Sequence, residues 1–385
     1  MTEKQIPVAR PFLGEEEAAA ARRAILSGWV VQGPEVAALE QEFAAAVGAP
    51  LAVACSSGTA ALHLALMALD LGPGHEVITV SHSFIATANS VRYVGATPVF
   101  VDVEAATGNL DPDRIAAAIT PRTRAILAVH QLGLPCDLGR ILPLAREHGL
   151  LVVEDAACAV GSAISLESGA WEPIGRPRGD LATFSFHPRK IITTGDGGMI
   201  TGAAPALMER LARLRTHAMS LSTAQRHGAS KVMLEQYLEL GYNYRLSDIQ
   251  GAVGREQLRR LPGLIEPLRR IAARYRDALA DVPQLALPQE QAWARSNWQS
   301  YWITLTPQCP QSQVAVMQEL LTRGIHTRRG VMCAHREPAY QDLELRFPLP
   351  VSEYLSDRSI ILPSYPDMTA AEQDQVIAAL RTILT

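Results

Sequence analysis

Ala182-Thr-Phe-Ser-Phe-His-Pro-Arg-Lys190-Ile-Ile-Thr-Thr-Gly-Asp-Gly-Gly-Met199 sets the frame into which the rest of the chain fits. An aromatic, β-prone run carrying Ser185 and His187 leads to one lysine. A glycine-rich turn (Gly195, Gly197, Gly198) then opens a second apolar run at Met199-Ile200. The pattern delivers a lysine to the edge of a sheet. In a partly desolvated site a lysine amine can bond a carbonyl compound as a Schiff base, and glycine-lined turns leave room for the partner. The bland alternative is a solvated surface lysine after a strand.

Working outward, short β-prone runs alternate with helical ones: Leu51–Cys55, Glu76–Val80, Thr97–Val101, Ala125–Val129, Leu150–Asp155, Leu181–Ser185 and Met199–Thr201. Such alternation predicts an α/β fold, a mostly parallel central sheet flanked by helices. Ligands of these sheets bind outside the carboxyl ends of the strands. Ser57, Phe84, His130, Asp155 and Ser185 each fall just after a strand, so they can converge on one crevice. Ser57-Gly58-Thr59 opens a strongly helical run, and free N–H groups at a helix start suit a phosphate. The same residues also suit an ordinary capped helix. Asp155 follows four buried-type residues and needs a partner, whether a helix cap, an arginine or a cationic ring nitrogen that it keeps protonated. Lysine for an aldehyde, aspartate for a pyridine nitrogen and a helix start for a phosphate are three handles of pyridoxal 5′-phosphate. A nucleoside-triphosphate loop and a dinucleotide fingerprint are both missing from the glycine-rich stretches.

Composition narrows the class. At 385 residues with 48% hydrophobic content, the chain is long enough for a large and a smaller domain. Its 35 basic and 39 acidic residues are mixed, for a net charge of −4. Neither a nucleic-acid surface nor an anionic-membrane surface is indicated. The five cysteines are scattered without C-x-x-C spacing, so neither a disulfide framework nor a zinc site is expected. With no signal-like N-terminus and no bilayer-length apolar run, a cytoplasmic protein is expected.

Further blocks carry a likeness. Ser27-Gly-Trp29 stands with Gly33-Pro34, and Ser57-Gly-Thr-Ala-Ala-Leu62 is followed by Ser83-Phe-Ile-Ala-Thr-Ala-Asn89. Glu154-Asp-Ala-Ala157 precedes the lysine segment, and Gly241-Tyr-Asn-Tyr-Arg-Leu-Ser-Asp-Ile-Gln250 and His335 with Pro338-Ala-Tyr340 follow it. In this order and over almost the whole chain, the sequence resembles the DegT/DnrJ/EryC1/StrS family of PLP-dependent sugar aminotransferases. The resemblance implies the aspartate-aminotransferase-like architecture (fold type I) with a smaller C-terminal α+β domain. The division expected is residues 1–255, including an N-terminal arm, and residues 256–385. It also implies that Lys190 forms the internal aldimine and Asp155 partners the pyridine nitrogen. Gly58, Thr59 and Ser185 would hold the phosphate, Phe84 would stack on the ring, and Asn243 would reach the phosphate of a neighbouring subunit in a homodimer. Many family members carry Gln where this chain has Cys158, so Cys158 is read as a small buried residue rather than a contact of the ring hydroxyl. Relatives that remove a sugar hydroxyl carry His in place of the lysine; Lys190 favours transamination.

The activity implied is ping-pong transfer of an amino group from glutamate or glutamine to a nucleotide-linked keto-sugar. The alternatives are transfer to a keto-cyclitol and a non-catalytic PLP-binding regulatory protein. Leu261-Pro262-Gly263 predicts a break or kink, with a helix resuming at Ile265. Substrate contacts are expected from the second domain: Tyr301 within Asn297–Tyr301, then Arg328, Arg329 and His335. Arginine suits diphosphate or carboxylate through its planar fork, although two loop arginines are as readily solvated. Trp29 is read either as the cover of a pocket or as a plug in a hydrophobic gap. His187 either orients substrate or phosphate or makes a hydrogen bond within its own turn.

Overall fold

The β-branched runs between helical stretches build one seven-stranded sheet in the computed structural model, which describes residues 5–166, 169–221 and 232–384. The chain begins with α1 (Glu15–Ser27), α2 (Pro34–Val47), β1 (Leu51–Cys55), α3 (Gly58–Ala68), β2 (Glu76–Val80), α4 (Ile85–Tyr93) and β3 (Thr97–Val101). It continues through α5 (Ile115–Ala118), β4 (Thr123–Val129), α6 (Leu138–Glu147), β5 (Leu151–Asp155), β6 (Ala163–Ser165), β7 (Trp171–Pro173), β8 (Leu181–Ser185), β9 (Gly198–Gly202) and α7 (Pro205–Leu214). The sheet order is β1-β9-β8-β5-β4-β2-β3. Only β9 runs antiparallel to its neighbours, so the other six strands end at one edge. Alternate residues of each strand feed two separate cores: Ile78, Ile126 and Val152 on one face, Val77, Leu127 and Val153 on the other. That is the signature of a parallel sheet covered on both faces. Val36, Leu39, Phe43 and Val47 of α2 join the first of these cores, as their spacing predicts.

One expectation is corrected. No break occurs at Leu261–Gly263: α8 (Asp248–Leu279) is a continuous 32-residue helix with Pro262 and Pro267 inside it. An internal proline costs about 3 kcal/mol. Leu258, Leu261, Leu264, Ile265 and Leu268 are all buried against the N-terminal core, and that packing holds the helix together. A Ser247–Gln250 capping box fixes its start. Residue 256, where the second domain was expected to begin, lies within α8. Farther along the same helix, Ile271, Ala272, Tyr275 and Leu279 enter a different core.

That second core belongs to a four-stranded sheet, order β10-β12-β14-β13, built from β10 (Leu285–Ala286), β12 (Tyr301–Leu305), β13 (Arg328–Arg329) and β14 (Ser359–Leu362). The helices here are α9 (Gln313–Thr322), α10 (Pro350–Arg358) and α11 (Ala370–Leu384). Ile6 bridges to Ile325 and is buried in this core, so the start of the chain packs with its end. A small sheet, order β11-β6-β7, joins β11 (Ala294–Arg295) to β6. This pairing brings the segment after Arg295 back to the loop that follows Asp155.

Candidate active site

The common edge of the parallel strands collects the site. Ser57, two residues after β1, caps α3: its Oγ accepts from Ala60 N at 3.1 Å. The turn before α3 must pass very close to its neighbours. A Cβ on Gly58 would lie 2.7 Å from Ser185 Cβ, and one on Gly198 would lie 2.3 Å from Ser57 O. Glycine at both positions lets the start of α3 sit directly against Ser185. Thr59 and Ser185 are half-buried beside these N–H groups.

Asp155 ends β5 and is 5% exposed. Its Oδ2 accepts from Thr87 Oγ1 at 2.7 Å and its Oδ1 from Ala157 N at 3.2 Å. Thr87 is one turn into α4 and exchanges a second hydroxyl contact with Ser83 at 2.7 Å. Phe84 caps the same helix with its ring 62% exposed. An aromatic ring left out of the core, three residues before the threonine that holds Asp155, is a surface able to stack on a flat ligand.

Lys190 lies in the turn after β8, half-buried, and its Nζ is 2.9 Å from Cys158 Sγ. Cys158 is half-buried and, contrary to the reading of a small buried filler, touches the lysine. The loop that carries it is anchored by Asn297, which is fully buried and donates from Nδ2 to Cys158 O and Val160 O, both at 2.8 Å. Asn297 N in turn donates to Ser162 Oγ at 3.0 Å.

Glu154 and His130 lie beneath the edge. Glu154 faces away from the crevice and is closed on His130 Nε2 at 3.1 Å and on the N–H groups of Arg178 and Gly179, both at 3.1 Å. His130 Nδ1 accepts from Cys136 N at 3.0 Å, which leaves the ring proton on Nε2 for Glu154. His130 therefore supports the strand ends and does not line the crevice.

The remaining sequence-predicted positions divide. Tyr301 is a correction: it is 1% exposed in the C-terminal core, its ring 5.0 Å from that of Tyr275. The apolar pattern of β12 turns it inward, into that core. His335 has both ring nitrogens engaged, Nδ1 with Ser81 Oγ at 2.7 Å and Nε2 with Glu353 at 3.1 Å. It braces β2 against α10. His187 Nδ1 accepts from Arg189 N at 3.2 Å, the turn hydrogen bond of its alternative reading. Burial, with Arg189 and Lys190 nearby, lowers its pKa. The Trp29 indole donates to Gln32 O at 3.2 Å and lies over Gly33. Arg328 and Arg329 are exposed on β13, with Arg329 3.3 Å from Glu337. Asn243 is exposed, with its backbone bridged to Thr216. Thr87 is the site-forming residue that sequence reasoning missed, while Cys158 is read there as a small buried residue and Asn297 only as the start of the Asn297–Tyr301 segment. Thr87 falls within the quoted Ser83–Asn89 block, where its place one turn after Ser83 was the available signal.

A lysine and a carboxylate at the carboxyl edge of a mostly parallel sheet flanked by helices, beside a helix start, are the arrangement of the aspartate-aminotransferase-like fold of PLP enzymes. The family model described as the DegT/DnrJ/EryC1/StrS aminotransferase family matches residues 11–381. The chain belongs to that family and is an aminotransferase. Among solved structures it is similar to the aminotransferase TlmJ from Streptoalloteichus hindustanus, at 34% identity and TM-score 0.89 over 98% of each chain. DesV of S. venezuelae, solved with a ketimine intermediate, is 33% identical with TM-score 0.87 over 98% of each chain. DesI, solved in the presence of its TDP-sugar product, is 31% identical with TM-score 0.87, covering 100% of this chain and 94% of its own.

Proposed function

We infer that the protein is a PLP-dependent sugar aminotransferase that moves an amino group from glutamate or glutamine to a nucleotide-linked keto-sugar. The observation that carries this reading is the clustering of Lys190, Asp155 and the α3 start at one sheet edge, with Phe84 exposed beside them. The residues fit pyridoxal phosphate. The close approach of Gly58 to Ser185 leaves the first N–H groups of α3 and the Thr59 and Ser185 hydroxyls for a phosphate. The Asp155 carboxylate keeps acceptor capacity for a ring N–H. When bound, the cofactor supplies an aldehyde that amines can bond and a cationic ring that takes up electrons.

The chain's own groups do the rest. Lys190 Nζ would bond the cofactor's aldehyde and, once freed by a donor amine, would be the base that takes up and returns a proton. Asp155, fixed by Thr87 and Ala157 N, holds the ring proton and with it the electron-accepting state. Phe84 would hold the ring of a bound cofactor by stacking. Sugar transfer is favoured by the DesV and DesI likenesses. The exposed Asn243 suits a homodimer in which each subunit completes its neighbour's phosphate site, and Arg328 and Arg329 suit a diphosphate. Among the described residues no helix is long and apolar enough to cross a membrane. The visible absorption of the purified protein with PLP, before and after glutamate, tests the reading alongside Lys190→Ala. A visible band that glutamate bleaches, and that the variant never forms, is expected. A wild-type protein that binds PLP without that band would remove Lys190 from its role.

A further inference from the structure

Of the five cysteines, Cys158 is the one that is not buried, and none forms a disulfide. Burial pushes the thiols of Cys55 and Cys333 up to about 12, and it shields Cys136 and Cys309 as well. Oxidants reach exposed thiols first. Cys158 Sγ also has a nucleophile already in contact, the Lys190 amine at 2.9 Å. The pair is held there by the fold, because Asn297 fixes the carbonyls of Cys158 and Val160 from a fully buried position.

We propose that, while Lys190 is not bonded to an aldehyde, a hydroperoxide converts this pair into a covalent Nζ–Sγ link that takes the lysine out of action. In the first step the thiol sulfur attacks the peroxide. The O–O bond breaks and an S–O bond forms, the sulfur is oxidised by two electrons, and the peroxide is reduced to water, or to an alcohol where it carries an organic group, with the thiol proton. In the second step the Nζ lone pair attacks the sulfenic sulfur. The N–S bond forms as the S–O bond breaks, and the hydroxyl leaves as water with a proton from nitrogen. Sulfenic acids condense with thiols and with backbone nitrogen in the same way. A dithiol reverses the link: its thiolate attacks Sγ, an S–S bond forms as the N–S bond breaks and nitrogen takes up a proton, and the second thiol then closes the reductant's own disulfide and releases the Cys158 thiol. The consequence for activity rests on the function proposed above; the chemistry rests only on the pair.

The test uses the full chain stripped of cofactor and treated with a small excess of hydrogen peroxide, followed by intact mass and peptide mapping. Wild type becomes about 2 Da lighter, with the Cys158 and Lys190 peptides joined, and dithiothreitol restores it. The fraction able to form the visible band with added PLP falls in step with the linked fraction. Cys158→Ser shows no change, and in Lys190→Arg the thiol runs on to an acid about 32 Da heavier. Oxygen addition at wild-type Cys158 with no joined peptide, as in Lys190→Arg, overturns the proposal. Loading with PLP before peroxide keeps the two readings apart. If the link forms but PLP gives no protection, the cross-link stands and the assignment of Lys190 to the cofactor fails.

Discussion

The segment from Asp155 to Ser162 is held at its two ends in opposite ways. At the first end, a carboxylate with about four acceptor sites accepts one hydroxyl and one backbone N–H. At the other, the Asn297 side chain has no donor left: Nδ2 spends both hydrogens on Cys158 O and Val160 O, and Oδ1 accepts from Gln299 N at 2.9 Å. The first arrangement is fixed in place yet still able to receive a donor; the second is closed. A site needs both, one group with capacity to spare and a surround with none, so that a ligand's donor meets an acceptor that does not move.

Asp155→Asn gives the sharpest break. It keeps the shape and the contact to Thr87 but removes the negative charge, so turnover should fall by about a hundredfold or more while the folded state is retained. Steady-state kinetics beside an unfolding curve measure both. Unchanged turnover would mean that the spare acceptor capacity is not used. Asn297→Ala should do the reverse. It orphans two buried carbonyls and the Gln299 N–H, a cost of about 3 kcal/mol, seen as a lower midpoint in denaturant unfolding with a smaller loss of turnover. A variant that unfolds like wild type but is inactive would place Asn297 on the ligand and dissolve the distinction.

Sequence reads the two ends unequally for a physical reason. In a parallel sheet, a residue's place after a strand fixes the edge it reaches, so Ser57, Asp155, Ser185 and the lysine turn are legible from alternation alone. Gly198 is legible as part of a glycine-rich turn, whereas the close approach that requires glycine at 58 and 198 shows only in the structure. Asn297, His335 and Tyr301 follow no such rule. Their directions depend on which helix covers β12, on the β11–β6 pairing, and on a contact between Ser81 and His335 that joins residues 254 apart in the chain. The proline-containing α8 misleads for a related reason, because local propensity marks a break where burial on two cores keeps one helix. Thr87 lies between these cases, inside a recognised block but with a role set by where β5 ends.

Acid offers a milder way to separate the two ends. His82, 4% exposed at the base of α4, receives the Gln131 side chain on its carbonyl. Burial pushes its imidazole down from 6.5 to about 4, outweighing Gly108 and the nearby Asp102 carboxylate. The unfolded chain therefore binds a proton that the folded one refuses between these values. Stability is complete above about pH 6.5 and declines as the pH falls toward 4, by a total on the order of 3 kcal/mol. Since α4 carries Thr87 to Asp155, loss of the cofactor band should accompany this decline. His82→Gln should flatten the dependence in urea unfolding followed from pH 7 to pH 4; an equally steep decline in that variant would assign it to other groups.

The smallest effect is expected where the sequence suggested a substrate contact. The Tyr301 hydroxyl is buried without a hydrogen-bond partner among the described residues, and its ring packs between Tyr275 and Trp298. Removing only that oxygen takes away an unsatisfied polar atom and leaves the ring packing intact. Tyr301→Phe should thus be neutral or stabilising by up to about 1 kcal/mol, with kcat and KM for both substrates unchanged. A rise in KM for the sugar with stability unchanged would show that β12 turns its first residue toward the crevice during turnover. The closed end of the comparison would then have an opening of its own.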